Sequence, residues 1–329
     1  MMNKVFWTAI VCGLLLALVG CAGAAGAGPK IPAVGIVAFA PDPTNDETVR
    51  GLKDGLKELG FEDGRQVRVV YQDAQGDVPT LQTIARKYVA DKVNVIVPLT
   101  TPGLVATAKI VQGTDRVVVF TQVYDPYAAG VAVSPREHPA NLIGVASPPP
   151  IEATIALIQR VLPNARRIGT IYNPAEANSV IGVERMRAET ARLGLELVER
   201  TIAGSAEVQQ AAKSLVGQAD VFFITGDNTV QVSFDAVVGV AEDAHIPVFC
   251  NDPTWSERGA VVALGPDFYQ AGKMAAALIA QILKGTDPAT MEIQRQDSTQ
   301  LVINLKAAES QGVTLPQEII DQAAQVIGK

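Results

Sequence analysis

The chain is poor in the residues that build metal or redox centres. Among 329 residues there are three cysteines and two histidines, His138 and His245, far apart in the sequence. No His/Cys spacing suited to a metal ion exists, so neither a metal nor a cofactor is expected. A basic surplus is missing too. Lys and Arg total 27 against 34 Asp and Glu, a net charge of −7 that argues against a nucleic-acid partner. Gly-x-Ser-x-Gly, phosphate-loop and Gly-x-Gly-x-x-Gly patterns are all absent. Beyond the first twenty residues no stretch is long and apolar enough to span a bilayer. The length is roughly that of two domains, and 48% hydrophobic residues suffice for a substantial core.

The N-terminus reads as an address. Met-Met-Asn-Lys is followed by the apolar run Val5 to Val19 and by Gly20-Cys21. A positive start, an apolar stretch and a small residue before the cut describe an export signal. Leu18-Val19-Gly20-Cys21 looks like a bacterial lipobox, in which Cys21 carries lipid and begins the mature chain. The alternative is an ordinary signal peptide cut later, near Ala22–Ala27. Residues 1–20 are therefore expected to leave as a lipoprotein signal peptide, with 21–30 as a flexible tether. Cys12 then departs with the signal, and Cys250 stays as a lone thiol without a disulfide partner.

After Lys30, short β-branched runs alternate with amphipathic stretches, which predicts α/β with mostly parallel sheets. Strands are expected at 33–39, 67–72, 94–99, 117–121, 142–145, 167–172, 196–201, 220–224, 247–250 and 260–264. Helices are expected near 46–59, 79–92, 103–112, 151–161, 177–193, 206–217, 229–244 and 268–284. The order repeats: 49–60 and 183–194 are both helices ending in a glycine, Gly60 and Gly194, and each leads to strand, helix and strand. A duplicated β-α-β-α-β-α-β unit accounts for the pattern.

Open parallel sheets bind ligands beyond the carboxyl ends of their strands. Two such halves facing each other would pool the loops 40–45, 100–103, 122–127, 173–179, 226–229 and 251–255. These loops hold Asp42, Asp125, Glu176, Asp227 and Asp252 but no Lys or Arg. A bare phosphate or dicarboxylate would ask for a cation, so a zwitterion, a cation or a neutral polyol fits better. Phe39, Tyr124, Tyr127, Tyr172, Trp255 and Tyr269 lie near enough to stack on a flat ligand group, although core packing explains Phe39 and Tyr172 equally well. Polar residues at strand ends also cap helices and turns, and for any single residue that is the commoner role.

Several segments carry a family resemblance. They are Gln72-Asp-Ala-Gln-Gly76 with Leu81-Gln-Thr-Ile-Ala85, Tyr172-Asn-Pro-Ala-Glu-Ala-Asn-Ser179, Gln209-Gln-Ala-Ala through Leu215-Val-Gly, Asp227-Asn-Thr229 and Tyr269-Gln-Ala-Gly272. In this order they resemble the type I periplasmic binding proteins of ABC importers, and among them the tryptophan/tyrosine-type substrate-binding proteins, over residues 31–315. The resemblance implies a two-lobed clamshell, each lobe a parallel sheet flanked by helices, with three hinge crossings. Lobe 1 would be 31–145 plus 267–286, and lobe 2 would be 146–266 plus 287–329.

It also implies an aromatic or apolar amino acid as ligand. By position, Thr101 and Asn178-Ser179 would hold the carboxylate, Asp227 would receive the ammonium, and Asn173 and Glu176 would complete the polar wall. Thr100, Asn228 and Asn251 join the expected ligand-binding set with Phe39, Asp42, Tyr124, Asp125, Asp252 and Trp255. The sequence departs from the family where the side-chain pocket is expected: Pro41-Asp42-Pro43 replaces Glu-His-Pro, Asn251-Asp252 replaces Gly-Glu, and Tyr124 replaces a smaller residue.

The resulting expectation is a non-enzymatic, monomeric receptor on the extracytoplasmic side of the cell envelope. It would be anchored to the membrane through lipid on Cys21 and would deliver a small solute to the transmembrane subunits of an ABC permease. Two alternatives stand beside it: an exported hydrolase acting on a small amide or sugar, and a ligand-sensing subunit of a membrane receptor.

Overall fold

The computed structural model describes residues 31–328, so the export signal, Cys21 and the whole 21–30 tether lie outside the described residues. The first half opens with strand β1 (Ala33–Ala38), helix α1 (Pro43–Glu58), β2 (Arg68–Asp73), α2 (Val78–Ala90), β3 (Val95–Pro98), α3 (Thr100–Val111), β4 (Val117–Val123) and β5 (Leu142–Ala146). The second runs through α4 (Ile151–Val161), β6 (Arg167–Tyr172), α5 (Ala177–Leu193), β7 (Glu196–Thr201), α6 (Val208–Leu215), β8 (Val221–Ile224), α7 (Asn228–Val232), α8 (Phe234–Ala244), β9 (Val248–Cys250) and β10 (Val262–Pro266). Helix α9 (Phe268–Leu283) and strand β11 (Gln294–Arg295) follow. The chain closes with β12 (Thr299–Asn304), α10 (Leu305–Ser310), α11 (Gln317–Ile320) and β13 (Gln325–Ile327).

The two sheets share one topology. The first orders its strands β11-β5-β4-β3-β1-β2 and the second β13-β12-β10-β9-β8-β6-β7. Apart from the terminal additions, both follow the order 2-1-3-4-5 of a doubly wound sheet, as duplication requires. Central strands such as Ala-Val-Gly-Ile-Val-Ala (β1) and Val-Phe-Phe-Ile (β8) are buried throughout, because helices cover both faces. The edge strands β2 and β7 are partly exposed and carry charge, which suppresses pairing with other chains.

The chain passes between the sheets three times, after Ala146, after Pro266 and after Arg295. The last passage lies later than the expected boundary at 286, because Gln294–Arg295 still pairs in parallel with Val145–Ala146. A second departure concerns the predicted helix 229–244, which is two helices broken at Ser233 (φ −120°, ψ 27°). There the carbonyl of Gln231 accepts from Arg258 Nη1 at 2.9 Å.

Helix α9 returns to the first half and packs on α1 at close range. A Cβ on Gly51 would lie 2.0 Å from the Tyr269 carbonyl oxygen, and one on Gly272 would lie 2.1 Å from that of Thr48. Both obstacles are backbone, so neither can swing aside. Gly272→Ala is expected to destabilise the protein by about 1–3 kcal/mol through overpacking. A thermal melt of the purified variant checks this: an unshifted midpoint would mean that the two helices can separate without cost.

Candidate functional site

The carboxyl ends of both sheets face one cavity of about 450 Å³, mouth included. Its walls are Thr44, Asn45, Thr100, Thr101, Gln122, Tyr124 and Phe268 from the first sheet's side, with Asn178, Gly226, Asn228, Gln231, Asn251, Asp252 and Trp255 opposite. The two sides touch. Thr44 Oγ1 donates to Asp252 Oδ2 at 2.7 Å and lies 2.8 Å from Thr254 Oγ1. Arg258 Nη1 comes within 3.9 Å of Asp42 Oδ2, and Val232 lies against Gly76. The protein is therefore closed, with its rims in contact.

Matching turns form part of this seam. Asp42-Pro43-Thr44 and Asp252-Pro253-Thr254 have the same sequence and the same local structure. Asp42 Oδ1 accepts from the Thr44 N–H at 2.7 Å, and Asp252 Oδ1 accepts from the Thr254 N–H at 3.0 Å. The two threonine hydroxyls then meet across the cleft.

Five buried polar atoms on the cavity walls have no hydrogen-bond partner: Thr100 Oγ1, Gln122 Oε1, Asn178 Oδ1, Asn251 Oδ1 and Trp255 Nε1. Buried polar groups are nearly always paired, so five around one cavity mark a surface built for a polar guest. The three amides are held in one orientation by carbonyls that accept from their NH2 groups. Gln122 Nε2 donates to the Thr44 carbonyl at 3.1 Å, Asn178 Nδ2 to that of Gly226 at 2.9 Å, and Asn251 Nδ2 to that of Leu264 at 2.9 Å. Their oxygens remain as fixed acceptors.

Donors come from helix ends. Helices α3 and α5 both begin at this cavity, and neither has a side-chain cap. Free N–H groups and the positive ends of two helix dipoles suit a carboxylate. Strain accompanies them: Thr100 (φ 65°) and Gln122 (φ 59°) hold left-handed backbone without being glycine, a cost that well-packed functional sites sustain.

Of the expected site residues, Thr100, Thr101, Tyr124, Asn178, Asn228, Asn251, Asp252 and Trp255 come together on the cavity walls, while Phe39, Asp42, Asp125, Asn173, Glu176, Ser179 and Asp227 do not. Phe39 is buried in the first core. Asp125 caps a turn through the Tyr127 and Ala128 N–H groups, both at 2.9 Å. Asp227, expected to receive an ammonium, is fully buried behind the wall. Its oxygens accept from the Asn173 N–H at 2.6 Å and the Val230 N–H at 2.8 Å. Glu176 accepts from both the N–H and the side chain of Asn228 and of Thr229. These two carboxylates fasten the start of α7, and neither lies on the cavity wall. Burial, and then the charge of Glu176, push the Asp227 carboxyl up.

Asp252 is thus the carboxylate on the cavity wall. Burial, and then the charge of Asp42, push it up to about 7. Oδ2 accepts one bond, from Thr44, and keeps capacity for another. Trp255 also belongs to the second core, where its ring packs on Phe234 at 4.6 Å between centroids. Cys250 is buried, its Sγ directed at the Asp252 carbonyl and its thiol pushed up by burial, which leaves it inert. Among the described residues there is no cluster suited to a metal ion, and no helix is long and apolar enough to cross a membrane.

Sequence reasoning missed Thr44, Asn45, Gln122, Gly226, Gln231 and Phe268 as wall residues. The first four lie in the loops it singled out, and the repeated Asp-Pro-Thr was the available signal for Thr44. Gln231 sits in the first helical turn just past one of those loops, whereas Phe268 opens the helix after β10, a strand end the loop set left out.

Residues 33–327 match the family described as ABC transporter substrate binding protein. The chain is similar to the tyrosine-binding protein of Clostridioides difficile (strain R20291), with 32% identity over 84% of this chain and 81% of that one. It is also similar to the crystal structure of an ABC domain from Streptococcus pneumonia in complex with L-Trp, at 26% identity and a TM-score of 0.85 over 90% of this chain and 99% of that one. The ligand-free, open structure of a substrate-binding protein with adhesive properties from Clostridium difficile is 29% identical, yet its TM-score is 0.69 over 91% and 100%. The open structure is thus less similar in shape although more similar in sequence than the L-Trp complex.

Proposed function

The chain belongs to the ABC transporter substrate-binding protein family, whose members bind a solute rather than convert it, and on that premise we propose that it binds an aromatic or other apolar amino acid in the closed cleft. The observation that carries this reading is the set of five partnerless polar atoms around one cavity. Their chemistry is that of a zwitterion's host. The N-termini of α3 and α5 bind the carboxylate through N–H groups near Thr101 and Asn178. The amide oxygens of Gln122 and Asn251, with Asp252, bind the ammonium. Tyr124, Trp255 and Phe268 face the side chain, and the tyrosine and tryptophan in the names of the similar proteins support an aromatic one.

In the same reading the two halves close as rigid lobes, 31–146 plus 267–295 against 147–266 plus 296–328, with β11 staying beside β5 in the first. Lipid on Cys21 holds the receptor at the extracytoplasmic membrane face through the 21–30 tether, where the closed form delivers its solute to the ABC permease. The test is calorimetry and thermal melting with L-tyrosine and L-tryptophan. Saturable heat is expected, together with a midpoint that climbs with ligand, reflecting about 2.7 kcal/mol at a hundred times the Kd. Absence of both responses with every amino acid would overturn the ligand class.

A further inference from the structure

We propose that Tyr124 is the partition that sets the longest ligand the cleft accepts, and that without its ring the pocket runs on into a second cavity on the hinge side. The inference rests on solute binding in the cleft and goes beyond it by naming the residue that limits size. The second cavity measures about 1070 Å³, mouth included, and is bounded by Tyr127, Pro149, Ile181, Arg185 and Ile293. Tyr124 alone lines both cavities. Its position is fixed at both ends. The backbone N–H donates to Thr101 Oγ1 at 3.4 Å, and the hydroxyl stands so close to Gly226 that a Cβ there would lie 1.9 Å from it. Were the residue only filler, packed protein would surround it; instead it borders both cavities. The far wall is firm as well, since Arg185 is held by Glu152 and by the Pro149 carbonyl, both at 3.0 Å.

The experiment compares the size limit of wild type, Tyr124→Ala and Tyr124→Phe by thermal shift and calorimetry. One ligand series runs from L-leucine through L-tyrosine and L-tryptophan to 4-phenyl-L-phenylalanine, the other from glucose to maltose. Tyr124→Ala is expected to bind 4-phenyl-L-phenylalanine at least about tenfold more tightly than wild type does, while Tyr124→Phe keeps the ring and the wild-type limit. Tyr124→Leu, shorter but still apolar, replaces the alanine variant if that one does not fold. An unchanged limit in the shortened variant, or a wild type that already accepts the biphenyl amino acid, overturns the proposal and leaves the amino-acid reading standing. If only sugars bind, the amino-acid reading falls, and the comparison of glucose with maltose decides whether Tyr124 is the partition. Silence to both series overturns both.

Discussion

Lowering the pH from 7 to 5 is expected to weaken amino-acid binding by up to about tenfold per unit. The cause is Asp252, whose carboxyl is pushed up to about 7 by burial and by the neighbouring Asp42 charge. In the closed cleft without a guest the carboxyl favours its protonated form, and an ammonium against Oδ2 favours the ionised one. Binding must therefore expel that proton below pH 7, whereas the ligand's own ammonium and carboxylate keep their charges through this range. The sign for the unliganded chain is the opposite one. A carboxyl raised above its ordinary 3.8 binds a proton in the native state that the unfolded chain has released. Stability without ligand thus declines as the pH rises from about 4 to 7. Asp227, also pushed up, is a second source of pH dependence, and a variant separates the two. Asp252→Asn should flatten the affinity profile and lose about ten- to a hundredfold in affinity at pH 7, the worth of a charge-assisted bond. Titration calorimetry at pH 5, 6, 7 and 8, in buffers of different ionisation enthalpy, reads both the slope and the released proton. Equal affinities at pH 5 and 7, or an undiminished slope in the asparagine variant, would remove Asp252 from the ammonium site.

Hydrophobic period and glycine placement made most of the fold legible. Buried runs such as Val-Ile-Val-Pro and Val-Phe-Phe-Ile mark central strands, and Gly60 and Gly194 end their helices with φ of 89° and 68°. The C-terminal forty residues were not legible. Gln294–Arg295 is a strand only because Val145–Ala146 lies beside it, and Thr299–Asn304 is placed by antiparallel pairing with Val262–Pro266. Such elements owe their existence to tertiary partners, which a local pattern does not encode. The cleft was legible as a set of loops because topology alone brings strand ends together. Individual carboxylates within those loops were not. Asp227, Glu176 and Asp252 occupy equivalent-looking positions after strands and all accept backbone N–H groups, and which of them lies on the cavity wall depends on the approach of other segments. The amide side chains were equally ambiguous. Gln122 becomes a fixed acceptor only because Thr44 and Thr48, far away in sequence, occupy its NH2 group.

Gly226→Ala is expected to abolish closure while sparing the fold, weakening ligand binding by at least about a hundredfold, or roughly 2.7 kcal/mol. The new methyl would sit 1.9 Å from the Tyr124 hydroxyl and 2.9 Å from its ring carbon Cζ, an overlap that a stiff phenol does not relieve by bending. Gly226 belongs to the second sheet's side and Tyr124 to the first. The clash therefore arises when the rims meet and vanishes when they part, which raises the energy of the closed form alone. A ligand gains most of its contacts in that form, so it must supply the difference. The thermal midpoint without ligand should rest near wild type, and small-angle scattering should show no compaction when ligand is added. Rescue gives the sharper measurement. In a double-mutant cycle, Tyr124→Ala removes the obstacle, so the pair should recover most of the compaction that Gly226→Ala loses, with a coupling energy far from zero. Wild-type affinity in Gly226→Ala, or a double variant as open as the single one, would show that closure does not pass through this contact. The contact joins the second sheet to the same ring that walls off the hinge-side cavity, so a residue placed to limit ligand length also limits how far the rims can approach.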